Sequence, residues 1–222
     1  MRKLFLVGIM SYLALTSCKK DENKVTTTVS NYFPLSVGNY WIYNVYEHDL
    51  KTNVDSLIGT DSLYIKRDTL IKNQKYCILS EQTSNKNVYS FFTFPVLRDS
   101  VNCVLYSYRD TVHTYLNYTN FTDTVGKWHY RDYDPSIKSG YVKQYKINAI
   151  YNVPAGHFND IIDKRQVLIT AQKSGCDQND SMISHHYFAN NIGMIYYNAF
   201  FTVDFLSCGI RNDFKLVRYK IN

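Results

Sequence analysis

The sequence predicts an all-β protein: one domain, a meander of antiparallel strands, little helix. Three observations predict it. Aromatic residues fill 16% of the 222 positions, with 21 Tyr, while Glu occurs only at 22, 47 and 81. Tyr, Thr and Val suit a pleated surface, and a shortage of Glu and Ala withholds the residues that favour helix. Second, apolar residues alternate with polar ones in short runs separated by Asn, Asp, Ser and Gly, the cadence of strands and tight turns. Third, no segment carries a helical apolar stripe over three turns; Val25–Ser36 is the only place where a short helix would fit.

Residues 1–17 read as a leader. Arg2 and Lys3 precede an apolar run from Leu4 to Leu15, too short to span ~30 Å of hydrocarbon with ease and flanked as a cleaved signal is. The run ends Leu15-Thr16-Ser17-Cys18, which resembles the lipobox of bacterial lipoproteins: Leu, two small residues, then the Cys whose thiol takes the diacylglyceryl group. Acylation of Cys18 by palmitate-type chains would hold the protein to a bilayer, at ~0.8 kcal/mol per buried CH₂. Lys19, where an Asp would argue for inner-membrane retention, and Lys20-Asp21-Glu22, which resembles an export signal of Bacteroidetes surface lipoproteins, point to the outer membrane and its outward face. Residues 18–31, polar and centred on Thr26-Thr27-Thr28, read as a flexible lipidated tether. The domain is expected over 32–222.

Within it, Asn39–Glu47 is the first strand, with Trp41, Tyr43 and Val45 on one face. Strands follow at Ser62–Arg67, Tyr76–Glu81, Val88–Phe94, Asn102–Tyr108 and Val112–Tyr118, with turns at Lys72-Asn73-Gln74 and Ser84–Asn87. Gly140–Tyr151 alternates most clearly: Tyr145, Ile147, Ala149 and Tyr151 are expected inward, and Gln144, Lys146 and Asn148 outward. Val153-Pro154-Ala155-Gly156 makes a tight turn, since Pro presets φ and Gly accepts φ > 0. Phe158–Ala171 returns as strand, Ser174–Ser181 is a polar loop, and Tyr187–Phe201 and Phe214–Ile221 close the domain as strands.

Three runs carry a resemblance: Phe33-Pro34-Leu35-Ser36-Val37-Gly38-Asn39-Tyr40-Trp41-Ile42-Tyr43, Val153-Pro154-Ala155-Gly156-His157-Phe158, and Tyr187-Phe188-Ala189-Asn190-Asn191-Ile192-Gly193-Met194-Ile195. In order, FPLxxGxxWxY, VPAGxF and YxAxxxGx[IV] resemble a group of uncharacterised Bacteroidetes-type envelope lipoproteins. The resemblance implies a curved antiparallel sheet, similar to the open half-barrels of periplasmic carriers, and no enzyme activity. Physically, Trp41 and Tyr43 supply apolar area, while Gly38, Gly156 and Gly193 permit tight backbone paths, so these positions read as folding determinants. The recurring Asp-Ser/Thr-apolar string, as at Asp55-Ser56-Leu57 and Asp61-Ser62-Leu63, resembles the O-glycosylation sequon of Bacteroidetes envelope proteins, and equally an Asp closing a turn before a strand.

Chemistry is sparse. The net charge of +6 is scattered and two of its cations lie in the leader; without a basic stripe, nucleic acid is not expected as a partner. Cys77, Cys103, Cys176 and Cys208 are candidate disulfide cysteines, with three connectivities open. No CxxC or CxxH pair occurs, so no zinc site is expected. His185-His186 is the most ligand-like pair, but adjacent strand residues face opposite ways, and a metal would need Asp180, His157 or His129 brought near. No G-x-S-x-G elbow is present, and Glu47, Glu81 and the aspartates sit in no recognisable glycosidase setting. No cofactor and no catalytic residue are expected. Tyr106, Tyr108, Tyr115, Tyr118, Trp128, Tyr130 and Tyr133 are candidate ligand-facing aromatics, for a glycan or peptide; a curved sheet could instead enclose an acyl chain. The sequence thus predicts a membrane-anchored, non-catalytic binding or structural domain. The alternative is an envelope hydrolase acting on glycan or ester.

Overall fold

In a computed structural model of the chain, the described residues are 31–71, 73–84, 95–99, 104–108, 115–120, 125–128, 137–170, 181–200 and 210–222. They form fourteen strands: β1 (Tyr40–Asp49), β2 (Val54–Ile71), β3 (Gln74–Thr83), β4 (Pro95–Asp99), β5 (Val104–Tyr108), β6 (Tyr115–Asn120), β7 (Val125–Trp128), β8 (Ile137–Ile147), β9 (Tyr151–Val153), β10 (Gly156–Phe158), β11 (Ile161–Thr170), β12 (Ser181–Ala189), β13 (Gly193–Phe200) and β14 (Ile210–Lys220). No helix occurs among the described residues. Twelve strands form one sheet in the order β6-β5-β4-β3-β2-β1-β14-β13-β12-β11-β8-β7, and β9 pairs with β10 alone. The sheet is antiparallel and does not close into a barrel.

The turns follow residue chemistry. Asn53, Asn73 and Asn191 take φ of 56°, 62° and 60° between β1 and β2, β2 and β3, and β12 and β13; a short polar side chain tolerates this left-handed region better than most. The first and last strands then meet at the centre, with Tyr40 opposite Lys220 and Asp49 opposite Ile210.

Several expectations are corrected. The second strand is not Ser62–Arg67 but runs eighteen residues, Val54–Ile71, because its Asp-Ser and Asp-Thr pairs sit within the ladder and do not break it. The run Tyr187–Phe201 is two strands, split by a turn at Asn190–Ile192. Gly140–Tyr151 is interrupted after Ile147, and Tyr145 lies outward, 38% exposed, with the Arg165 guanidinium 4.2 Å over its ring. Strands at Pro95–Asp99 and Val125–Trp128 are additions. The expected strand Val88–Phe94, the leader, nearly all of the tether and the loop 174–180 lie outside the described residues.

The sheet curls around its core. On β1, Trp41, Tyr43 and Val45 are buried and their neighbours only partly so. Strand spacing is about 4.8 Å, so a flat sheet would hold β2 and β13 about 14 Å apart. Tyr197 on β13 nevertheless donates to Asp61 on β2 at 3.2 Å, and Tyr43 on β1 donates to the Met194 carbonyl on β13 at 2.9 Å. This inner, concave face is filled by Trp41, Tyr43, Leu63, Ile195, Tyr197, Phe214 and Leu216. Tyr197 stacks on Phe214 at 3.9 Å between ring centroids and meets Tyr43 edge-on at 5.7 Å.

The three motif runs meet at one end of this core. Phe33 stacks on Trp41 at 5.2 Å and meets Phe188 edge-on at 6.1 Å. Gly193 has φ of +107°, and a Cβ there would lie 2.8 Å from Trp41 Nε1. The β9–β10 turn docks through the Ala155 N–H onto the Leu216 carbonyl, 2.9 Å, beside the bulge where β1 and β14 shift register. Chain entry is fixed there too: the Asn191 N–H donates to the Asn31 carbonyl at 2.7 Å.

Candidate functional site

Two groups of polar side chains stand out, one on each face of the sheet. The inner group begins with Asp61, wholly buried on β2 opposite Tyr43. Its carboxyl accepts from the Tyr197 hydroxyl and shares a hydrogen bond with Glu81 of β3. Burial, then the Glu81 charge, pushes the Asp61 carboxyl up to about 8. One proton held between two carboxyls is how such a pair survives in a low dielectric. Burial raises the Tyr43 and Tyr197 hydroxyls well above the ordinary range, and the Asp61 and Glu81 charges add to the effect. His186 of β12 lies on this side, edge-on to Tyr197 at 6.2 Å, and burial pushes its imidazole down to about 4. The inner group is built as core.

The outer group is a lane across β8, β11, β12, β13 and β14. Asp163 of β11 is fully buried at its centre. Its Oδ2 accepts from Arg165 Nε at 2.6 Å, and its carboxylate faces His185 Nδ1 at 3.1–3.2 Å. The Asp163 hydrogen bond lifts the Arg165 guanidinium further above its already high range. His185 anchors β12 to β13 through its backbone N–H, which donates to Asn198 Oδ1 at 2.6 Å. Tyr187 stands 5.9 Å from the His185 ring and packs edge-on against Tyr151 at 4.7 Å and, tilted, against Tyr196 at 5.1 Å. The β9–β10 hairpin, carrying Tyr151, thereby covers one side of the lane. On β14, Arg211 holds Asp213 bidentately, Nε to Oδ1 at 2.6 Å and the terminal amino group to Oδ2 at 2.8 Å. Beyond it Lys215 lies 4.6 Å from the Tyr46 ring centre and 3.1 Å from Asp55, which also takes His48 Nδ1 at 2.6 Å. Those partners hold the Asp55 carboxyl below its usual range, His48 chiefly.

The expected site residues fall as follows. Tyr106 and Tyr108 lie on β5, Tyr115 and Tyr118 on β6, and Trp128 on β7, at opposite ends of the sheet order; their side chains, and Tyr130 and Tyr133 entirely, are outside the described residues. Cys18, Cys103, Cys176 and Cys208 are outside them as well. Cys77 is buried on β3, where burial, reinforced by Asp68, pushes its thiol up to about 12. His185 and His186 do face opposite sides, and no metal-ligand cluster occurs among the described residues. Of the Asp-Ser/Thr strings, Asp61-Ser62-Leu63 turns Asp61 and Leu63 into the core, while Asp55-Ser56-Leu57 is exposed throughout. Sequence reading missed Asp163, Arg165 and Tyr145 because their meeting is cross-strand: only the pairing of β8 with β11 and of β11 with β12 sets them against His185.

No family model matches the chain, and no curated protein matches it. Two solved structures align with 86% of this chain and 99% of their own, each at 11% identity. One is a candidate lipoprotein from Parabacteroides distasonis ATCC 8503, with a TM-score of 0.42; the other is a candidate exported protein with a YmcC-like fold from Bacteroides fragilis NCTC 9343, with a TM-score of 0.43.

Proposed function

We propose that this chain is a lipid-anchored outer-membrane protein, acylated at Cys18 and facing outward, whose β domain binds a ligand on its outer face without transforming it. The observation that carries the binding reading is the lane itself: Arg165 and His185 held by the buried carboxylate of Asp163, with Tyr145 under the Arg165 guanidinium and Tyr187 beside the His185 ring. Rigid aromatic side chains with fixed polar neighbours bind at low entropic cost, and here the fixing is done before any ligand arrives. Among the described residues, the inner face is filled by its own aromatic and aliphatic side chains.

The anchor reading rests on Leu15-Thr16-Ser17-Cys18. Metabolic labelling with a palmitate analogue tests it: label enters the wild-type chain and not Cys18→Ala, which leaves the membrane fraction. An unlabelled wild-type chain would remove the anchor. Externally added protease cleaving the chain on intact cells tests the outward face; protection there would place the domain in the periplasm.

A hydrolase is the second reading, favoured by one observation: Asp163 orients the His185 imidazole as a carboxylate orients a catalytic histidine. Hydrolysis of p-nitrophenyl acetate by the wild-type chain and its loss in His185→Gln would carry that reading. Equal background rates in both would end it.

A further inference from the structure

The outer lane brings three nitrogen-bearing side chains into one row. Lys143 of β8 stands directly opposite Arg165 of β11, and Arg165 directly opposite His185 of β12. Residues in such register share a face with Cβ atoms roughly 4.5–5.5 Å apart, and like charges set opposite one another are destabilising. The one carboxylate behind them, Asp163, is spent on Arg165 Nε and His185 Nδ1. That arrangement leaves the outward parts of both side chains in place. Arg165 is 41% exposed, and its terminal amino groups make no hydrogen bond among the described residues. With Nδ1 turned to Asp163, the His185 ring directs Nε2 away from it. Tyr145 beneath the guanidinium and Tyr187 beside the imidazole wall the row.

We propose that Lys143, Arg165 and His185 form a subsite for the oxyanion — carboxylate, sulfate or phosphate — of an acidic saccharide flanked by Tyr145 and Tyr187. The planar guanidinium fork matches the two oxygens of such a group, and its charge-assisted bonds are about twice as strong as neutral ones. Tyr rings present apolar faces to the C–H faces of a sugar and polar tips to its hydroxyls. The inference rests on the outer-face binding reading and adds to it the charge of the ligand.

Saturation-transfer NMR and calorimetry on the purified full chain would use glucuronate, glucose and glycerol phosphate as probes. Glucuronate is expected to bind at least about 10-fold more tightly than glucose, the size of one charge-assisted contact. Arg165→Gln should weaken glucuronate about 10-fold or more. Removing Arg165 also strips a buried carboxylate of its partner, so Lys143→Gln is the second variant. Lys143 is exposed; its replacement should not lower the unfolding midpoint, since it relieves the repulsion with Arg165, and should weaken glucuronate roughly 3-fold. Glucuronate binding no tighter than glucose, or unaltered by both variants, would overturn the proposal. Tight binding of glycerol phosphate with none of glucuronate would overturn the saccharide assignment in favour of a lipid headgroup. Equal binding of glucose and glucuronate, lost together in Tyr187→Ala, would overturn the oxyanion subsite and leave the outer-face reading standing. Sugar binding indifferent to Tyr187→Ala would overturn both.

Discussion

The Trp41 indole N–H donates to the Ile192 carbonyl at 2.6 Å, tying the first strand of the sheet to a turn 151 residues later. That turn places Gly193 flat against the indole, where its φ of +107° and the 2.8 Å approach leave no room for a side chain. Two runs of sequence thereby close one end of the core together.

Gly193→Ala should destabilise the chain by about 2–4 kcal/mol, through backbone strain and overpacking. Trp41→Phe should cost about 1–3 kcal/mol by leaving a part-buried carbonyl without its donor. Urea unfolding followed by circular dichroism measures both. A Gly193→Ala chain with an unchanged midpoint would refute the packing described.

How much of this was legible in the sequence depends on distance along the chain. The inward set of Trp41, Tyr43 and Val45 is local alternation on one strand, and it reads directly. The length of β2 does not read, because Asp55, Asp61 and Asp68 look like residues that close turns; one of them, Asp61, is instead a core residue with a partner on β13. The outer lane reads least. Tyr145, Asp163 and His185 lie on three strands and meet only through sheet register. The aromatics at 106–133 are close in sequence, yet the topology sends β5 and β6 to one end of the sheet and β7 to the other.

The inner face makes stability depend on pH through two groups of opposite sign. Asp61 holds its proton up to about 8 when folded and gives it up near 3.8 when unfolded, so the folded state binds more protons and stability falls as pH rises across that window. His186 titrates at about 4 folded against 6.5 unfolded, so stability falls as pH drops from 6.5 towards 4. The two trends oppose each other below pH 6.5, and above it Asp61 acts alone. Unfolding midpoints should therefore decline between pH 6.5 and 8 in the wild-type chain. In Asp61→Asn they should rise to pH 6.5 and then level. A decline to pH 8 persisting in Asp61→Asn would contradict the assignment.

Cys77 should resist alkylation in the folded chain. Burial hides its thiol and a value pushed up to about 12 leaves almost no thiolate at pH 8. Under reductant, iodoacetamide followed by peptide mass spectrometry should find Cys77 modified only after urea is added. Rapid modification in native buffer would show that β3 does not bury it.

The concave face is packed as a core, and the ligand recognition proposed above is assigned to the opposite face. The chain has two Trp, so a Trp128→Phe variant reports on Trp41 alone, buried in that core. Titration of this variant with cis-parinaric acid measures whether an acyl chain enters. No saturable quenching of Trp41 is predicted; one-to-one saturable quenching would contradict the claim and make the concave face a lipid cleft.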